Sequence, residues 1–183
     1  MSQCRLEYAW RTDKGKVRGR NEDAVSVFPD FGFVIVADGI GGASAGEVAS
    51  RLATHTIGER FRGQPTHPSG GRKVALNLAK EAVAEANRTI WESAQRSSRY
   101  TGMGTTVVMG YVGPGWLVYA HVGDSRLYRP RDGELLQLTR DHSLLQEVVD
   151  QGFFPSMEDA LRYGINGHIL TRGLGNVSPV KVD

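Results

Sequence analysis

The chain has 183 residues, 40% of them apolar and 23% charged, the balance of a single soluble globular domain. Its formal charge is +2, and 22 basic residues, mostly arginine, are scattered among 20 acidic ones, which excludes the concentrated positive face of a nucleic-acid-binding protein. One cysteine, Cys4, excludes an internal disulfide framework, and His55, His67, His121, His142 and His168 lie too far apart in sequence to complete a cysteine–histidine zinc pattern.

The chain starts with MSQCRLEYAWR, charged where a signal peptide is apolar, and no apolar run is long enough to span a bilayer. These features predict a cytoplasmic protein with no membrane partner. Leu6–Trp10 alternates apolar and polar residues, which predicts a strand with one buried face. Asp13–Asn21 is polar and basic and reads as a loop. Ala24–Phe28 and Phe31–Ala37 are β-branched and aromatic on either side of Pro29-Asp30, the pattern of a hairpin. Ser44 and Glu47 have capping-box spacing. Behind them Val48, Ala49, Leu52, Ala53, Ile57 and Phe61 form a helical stripe. Residues 62–71 predict a loop, and Arg72 to Ser97 a long second helix.

From Gly104 to Thr139 the pattern turns to strands: TTVVMGYV, WLVYAHV, RLYRP and ELLQLT, the last two joined by a turn at Arg131-Asp132-Gly133. Short helices follow at Ser143–Gln151, stopped by Gly152, and at Ser156–Tyr163, with Ser156 as N-cap. The tail from Asn166 to Asp183 shows no terminating element. Strands and helices in separate runs, rather than in βαβ alternation, predict an α+β fold.

The chemistry gathers where apolar strands end in acids. Phe33–Ala37 runs into Asp38, followed by glycines at 39, 41, 42 and 46. A glycine-rich turn before a helix can cradle phosphate, but the dinucleotide fingerprint fails at Ser44 and no Gly-Lys-Ser/Thr follows. Asp38 would also repel an anion placed there. A divalent cation removes the conflict, because Glu22, Asp23, Asp38 and a carbonyl freed by Gly39 are all hard oxygen donors suited to Mg2+ or Mn2+. Arg18 can grip a phosphate oxyanion in a bidentate manner. The strand WLVYAHV likewise ends in Gly123-Asp124. Taken alone, each of these is an ordinary turn or a solvated charge; the ordered set carries the signal.

That set resembles the metal-dependent serine/threonine protein phosphatases of type 2C, the PPM group, in their bacterial form. The resemblance runs from Gly15 to Gly175 through VRGRNEDA (17–24), FVIVADGIGGASAGEVAS (33–50), GMGTTVV (102–108), AHVGDSRLY (120–128), LTRDHSLLQEVVDQG (138–152) and ILTRGLG (169–175). It implies a four-layer α-β-β-α sandwich of two antiparallel sheets flanked by helices. It implies hydrolysis of phosphoserine and phosphothreonine by a water activated on two or three Mn2+ or Mg2+ ions. Phosphorylated proteins and a cognate Ser/Thr kinase are the implied partners.

By the same resemblance Arg18 grips the substrate phosphate, Glu22 binds one metal, Asp38 bridges two, and Gly39 lends its carbonyl. Asp23 supports them from behind, Asp124 helps hold a third ion, Thr105 is structural, and residues 144–168 match a variable flap.

Two departures accompany the resemblance. Ile40 stands where eukaryotic members carry a proposed general-acid histidine, as in bacterial relatives. The family's later Ser-Asp-Gly and Asp-Asn motifs do not occur before Asp183, so the sequence predicts a fold missing its C-terminal strands. It also predicts an incomplete ligand set in which Asp124 stands isolated, and weak metal binding and turnover by residues 1–183 alone. A phosphatase-like module that binds a phosphoprotein or kinase without turning it over is the competing expectation, and a nucleotide-binding protein a distant third.

Overall fold

A computed structural model describes residues 5–41, 45–62 and 70–183. The elements in order are β1 (Asp23–Phe28), β2 (Phe33–Ile40), α1 (Ala45–Phe61), α2 (Gly71–Arg96), β3 (Gly104–Thr105), β4 (Val107–Gly113), β5 (Trp116–Val122), β6 (Tyr128–Arg131), β7 (Glu134–Gln137), α3 (Leu144–Asp150) and α4 (Met157–Arg162). An antiparallel sheet in the order β1-β2-β4-β5, with β3 paired to the end of β2, forms the centre, and β6-β7 is a separate two-stranded sheet.

The period-two pattern of β2 decides where the core lies. Phe33, Ile35 and Ala37 are fully buried, whereas Val36 on the opposite face is 40% exposed. The buried face receives α1 and α2. Ala45, Ala49 and Ala53, spaced one turn apart, are buried on α1, as are Ala75, Ala79, Ala82 and Ala86 on α2. Such small side chains let the helices and sheet approach closely. The aromatic residues fill one end: Phe33 stacks on Phe61 at 4.1 Å, and Tyr111 meets both rings edge-on.

The hairpin, the two long helices and the later strands form as the sequence predicts. Asp132 and Gly133 turn the β6–β7 hairpin with φ of +53° and +82°, the left-handed pair that matches strand twist. Ser143 and Ser156 cap α3 and α4, accepting from the amides of Gln146 and Asp159. The Ser44 cap lies outside the described residues, as do Cys4 and most of the 62–71 loop.

Two expectations need correction. Leu6–Trp10 forms no strand and pairs with none among the described residues, and Leu6 and Trp10 are 40% and 63% exposed. Alternation specifies a strand only where a neighbour supplies the hydrogen bonds. The strand carrying Asp38 also does not stop there: β2 continues to Ile40, because β3 pairs Thr105 with Gly39 and Gly104 with Ile40.

Candidate functional site

The pairing of β1 with β2 places Asp23 directly opposite Asp38. Like charges facing each other across an antiparallel pair are destabilising, so this register sets up a conflict at the sheet end. The Asp38 side chain keeps contact with solvent. Nonetheless the protein packed around it, the facing Asp23 and the charge of Asp124 together push its pKa up to about 6, against a smaller opposing pull from Arg18. The charge of Asp124 also reaches Asp38, although Asp124 does not line the cavity that holds Arg18, Glu22, Asp23 and Asp38.

A cavity of about 220 Å³ is lined by Arg18, Glu22, Asp23 and Asp38, together with Lys14 and Arg20. The Arg18 Nη1 donates to Glu22 Oε2 at 3.5 Å, a loose contact on an exposed guanidinium. Asn21 holds the loop: its Nδ2 donates to Thr12 Oγ1 at 2.6 Å and its Oδ1 accepts the Asp23 amide at 3.0 Å.

The glycines here serve close packing rather than a phosphate cradle. A Cβ on Gly39 would lie 2.2 Å from the Gly46 carbonyl oxygen and 2.6 Å from that of Glu22. The start of α1 thus sits directly on the end of β2. The Glu22 carbonyl is fixed in turn, accepting from the Gly39 amide at 3.1 Å and from the buried Ser50 hydroxyl at 2.6 Å. The Gly39 amide and the Ser50 hydroxyl together fix the backbone of Glu22 beside the strand that carries Asp38.

Thr106, which sequence reasoning passed over, holds the backbone of Asp38 from the other side. Its Oγ1 accepts the Asp38 amide at 3.0 Å and its own amide donates to the Asp38 carbonyl at 2.9 Å. That carbonyl also accepts from the Thr105 hydroxyl at 2.8 Å. Thr106 Oγ1 and Ser125 Oγ are 2.6 Å apart, which ties the strand end bearing Asp38 to the turn bearing Asp124. The only sequence signal was the Thr-Thr pair in GMGTTVV. Asp183, at the other end of the chain, sits against His142, Arg172 and Lys181.

Among the described residues no three His, Cys, Asp or Glu side chains form a ready-made metal cage. The donor chemistry nevertheless fits a hard divalent ion. The donors are all oxygens, and Asp38 carries negative charge that its surroundings leave under-compensated. Ions such as Mg2+ are held by one or two carboxylates and retain several waters. No helix among the described residues is long and apolar enough to cross a membrane.

A guanidinium beside crowded carboxylates, at the end of an antiparallel sheet packed on helices, has the chemistry to bind a phosphate group and a divalent ion. Comparison with known proteins shows the family. The protein phosphatase 2C profile matches residues 16–165. The serine/threonine phosphatase Stp of Listeria welshimeri is 38% identical over 177 residues, covering 95% of this chain and 69% of its own length. The S. agalactiae serine/threonine phosphatase superposes with a TM-score of 0.84 at 32% identity, covering 94% of this chain and 70% of that one. The PstP catalytic domain in complex with two manganese ions superposes with a TM-score of 0.77 at 33% identity, covering 94% and 69%. The chain belongs to the protein phosphatase 2C family.

Proposed function

We propose that this chain hydrolyses phosphoserine and phosphothreonine on proteins, reversing the action of a Ser/Thr kinase in the cytoplasm. The observation that carries the reading is the Asp23–Asp38 register at a cavity that also holds Glu22 and Arg18. Repulsive acids kept together on a rigid sheet are a cost to the fold that a bound cation offsets.

Glu22, Asp38 and the Gly39 carbonyl would hold two Mn2+ or Mg2+ ions, with Asp124 serving a third. Such ions supply the Lewis acidity that makes a water nucleophilic near neutral pH. Arg18 receives the phosphoryl oxygens: its planar guanidinium matches two of them, and its loose 3.5 Å contact to Glu22 is easily exchanged for substrate. Asp23 keeps Asp38 and its hydration in place from the facing strand. Ile40 has no proton to give, so the leaving alkoxide takes its proton from solvent in the cavity.

The test is phosphate release from phosphothreonine and phosphoserine peptides in the presence of Mn2+. Arg18→Ala should lower kcat/KM by about 10²-fold, the range for losing one preorganised charge-stabilising group. Asp38→Asn should leave no turnover above background, and normal activity in that variant would end the assignment. The sparse set of metal-binding side chains among the described residues favours one rival, a module that binds phosphoproteins without cleaving them. Phosphopeptide binding without release by the parent chain at saturating Mn2+ would establish that rival.

A further inference from the structure

One buried histidine outside the catalytic cavity makes contacts that packing alone does not require. His142, 3% exposed, grips the main chain of Gly123 at both of its polar groups. The Gly123 amide donates to His142 Nδ1 at 3.0 Å, and the His142 amide donates to the Gly123 carbonyl at 3.0 Å. Nδ1 accepts, so the ring proton resides on Nε2. That proton points to Asp183 Oδ2 at 3.0 Å.

Asp183 is fixed in its turn. Arg172 Nη1 donates to the same oxygen at 2.8 Å, and the Asp183 main chain exchanges hydrogen bonds with His121 on β5. The His121 ring stacks on His142 at 4.6 Å, anchored by its Nε2 against the Arg140 carbonyl at 2.8 Å. Ring plane, tautomer and charge state of His142 are all set. A protonated ring would turn a donor toward the Gly123 amide, and its burial beside Arg172 and His121 accordingly pulls the His142 pKa down to about 4.

Gly123 is the residue before Asp124. Its φ is +105°, and a Cβ there would stand 2.6 Å from Thr106 Cγ2, so the turn is pressed onto the threonine that holds the Asp38 amide. A contiguous set of contacts therefore leads from Asp183 through His142, Gly123 and Thr106 to Asp38.

We propose that His142 is a positioning residue: its neutral ring, oriented by Asp183 and Arg172, latches the Gly123–Asp124 turn and so fixes Asp124 relative to Asp38. The idea rests on the phosphatase reading only in taking Asp124 as an ion-binding group. Neither Asp183 nor His142 touches the catalytic cavity; they act through the turn.

The experiment compares His142→Leu, which removes the acceptor, with His142→Asn, whose Oδ1 can take the same amide. Amide hydrogen exchange reads the turn without any metal. His142→Leu should speed exchange at Gly123 at least tenfold with the Ile35 amide unchanged, while His142→Asn stays within about threefold. In Mn2+ titrations His142→Leu should raise half-saturation about tenfold, the lower end for residues that orient ligands. In an Asp124→Ala background it should add less than twofold, because the two act as one unit.

Unchanged exchange at Gly123, or an equal Mn2+ penalty in both backgrounds, overturns the proposal. If His142→Leu fails to fold, Asp183→Ala decides by the same exchange measurement: a faster Gly123 amide supports the latch and an unchanged one removes it. A parent chain that binds no Mn2+ would sink the phosphatase reading and leave the exchange result to judge the latch.

Discussion

Asp38 and Asp141 are two aspartates of the same domain with opposite surroundings. Asp141 is nearly buried and fully partnered: Arg126 grips it with Nε at 2.9 and 3.0 Å and Nη2 at 2.5 Å, and Gln137 Nε2 donates to it at 3.1 Å. This ion pair lifts the Arg126 pKa above its ordinary value and binds the β6–β7 hairpin to the segment leading into α3. Asp38 faces another acid across the strands, feels a third, and is only partly compensated by Arg18. One carboxylate is spent on architecture. The other is left in want of positive charge, which is where a ligand or ion can be bound.

The comparison can be broken by substitution. The largest effect belongs to Asp38→Asn. Removing the under-compensated charge should raise the melting temperature of the metal-free chain at pH 7 while abolishing Mn2+-dependent stabilisation; calorimetry with and without Mn2+ reads both. A lowered melting temperature in metal-free buffer would show that Asp38 is satisfied after all.

Asp141→Ala should do the reverse. Stripping one partner from a buried pair costs about 3–5 kcal/mol. Because the Arg126 side chain is 41% exposed, water recovers part of this, leaving about 2 kcal/mol. Urea unfolding would measure it, and the Mn2+ requirement should be unchanged.

Thr106→Val sharpens the contrast, since it deprives Asp38 of an amide partner without touching its charge. A cost of about 1 kcal/mol is expected for an orphaned donor that is only partly buried, with weaker Mn2+ activation as the specific sign.

The smallest effect is in pH. Burial and the neighbouring acids hold the Asp38 pKa at about 6 in the folded chain, against an ordinary 3.8. Its destabilisation is thus fully present above pH 6 and is relieved as the pH falls from 6 toward 4. The stability gap between Asp38→Asn and the parent should therefore be widest at pH 7 and close near pH 4. His142 has the opposite sign. With its folded value lowered from 6.5 to about 4, stability is complete above pH 6.5 and is lost as the pH falls toward 4. Melting curves of His142→Asn and its parent between pH 7 and 4 should show that slope in the parent alone.

Several features were legible in the sequence because their causes are local. The apolar run Phe33–Ala37 leading into Asp38 marked a buried strand, although the strand carries on past the acid to Ile40. The serine caps of α3 and α4 and the Asp132-Gly133 turn were equally readable, since each depends on a few adjacent residues. Leu6–Trp10 misled for the same reason in reverse: alternation is local, whereas a pairing partner is not.

From the sequence alone come the family, the α+β class and the identity of the acids and arginine that meet in one cavity. These follow from residue types in a fixed order, which the chain carries without folding. Tertiary structure alone decided that Asp23 stands across from Asp38, that Thr106 bridges Asp38 to Ser125, and that His142 reaches back to Gly123 with Asp183 behind it. Strand register and contacts between residues 15 to 68 positions apart are set when sheet edges and turns close on one another. No local pattern in the chain encodes that closure.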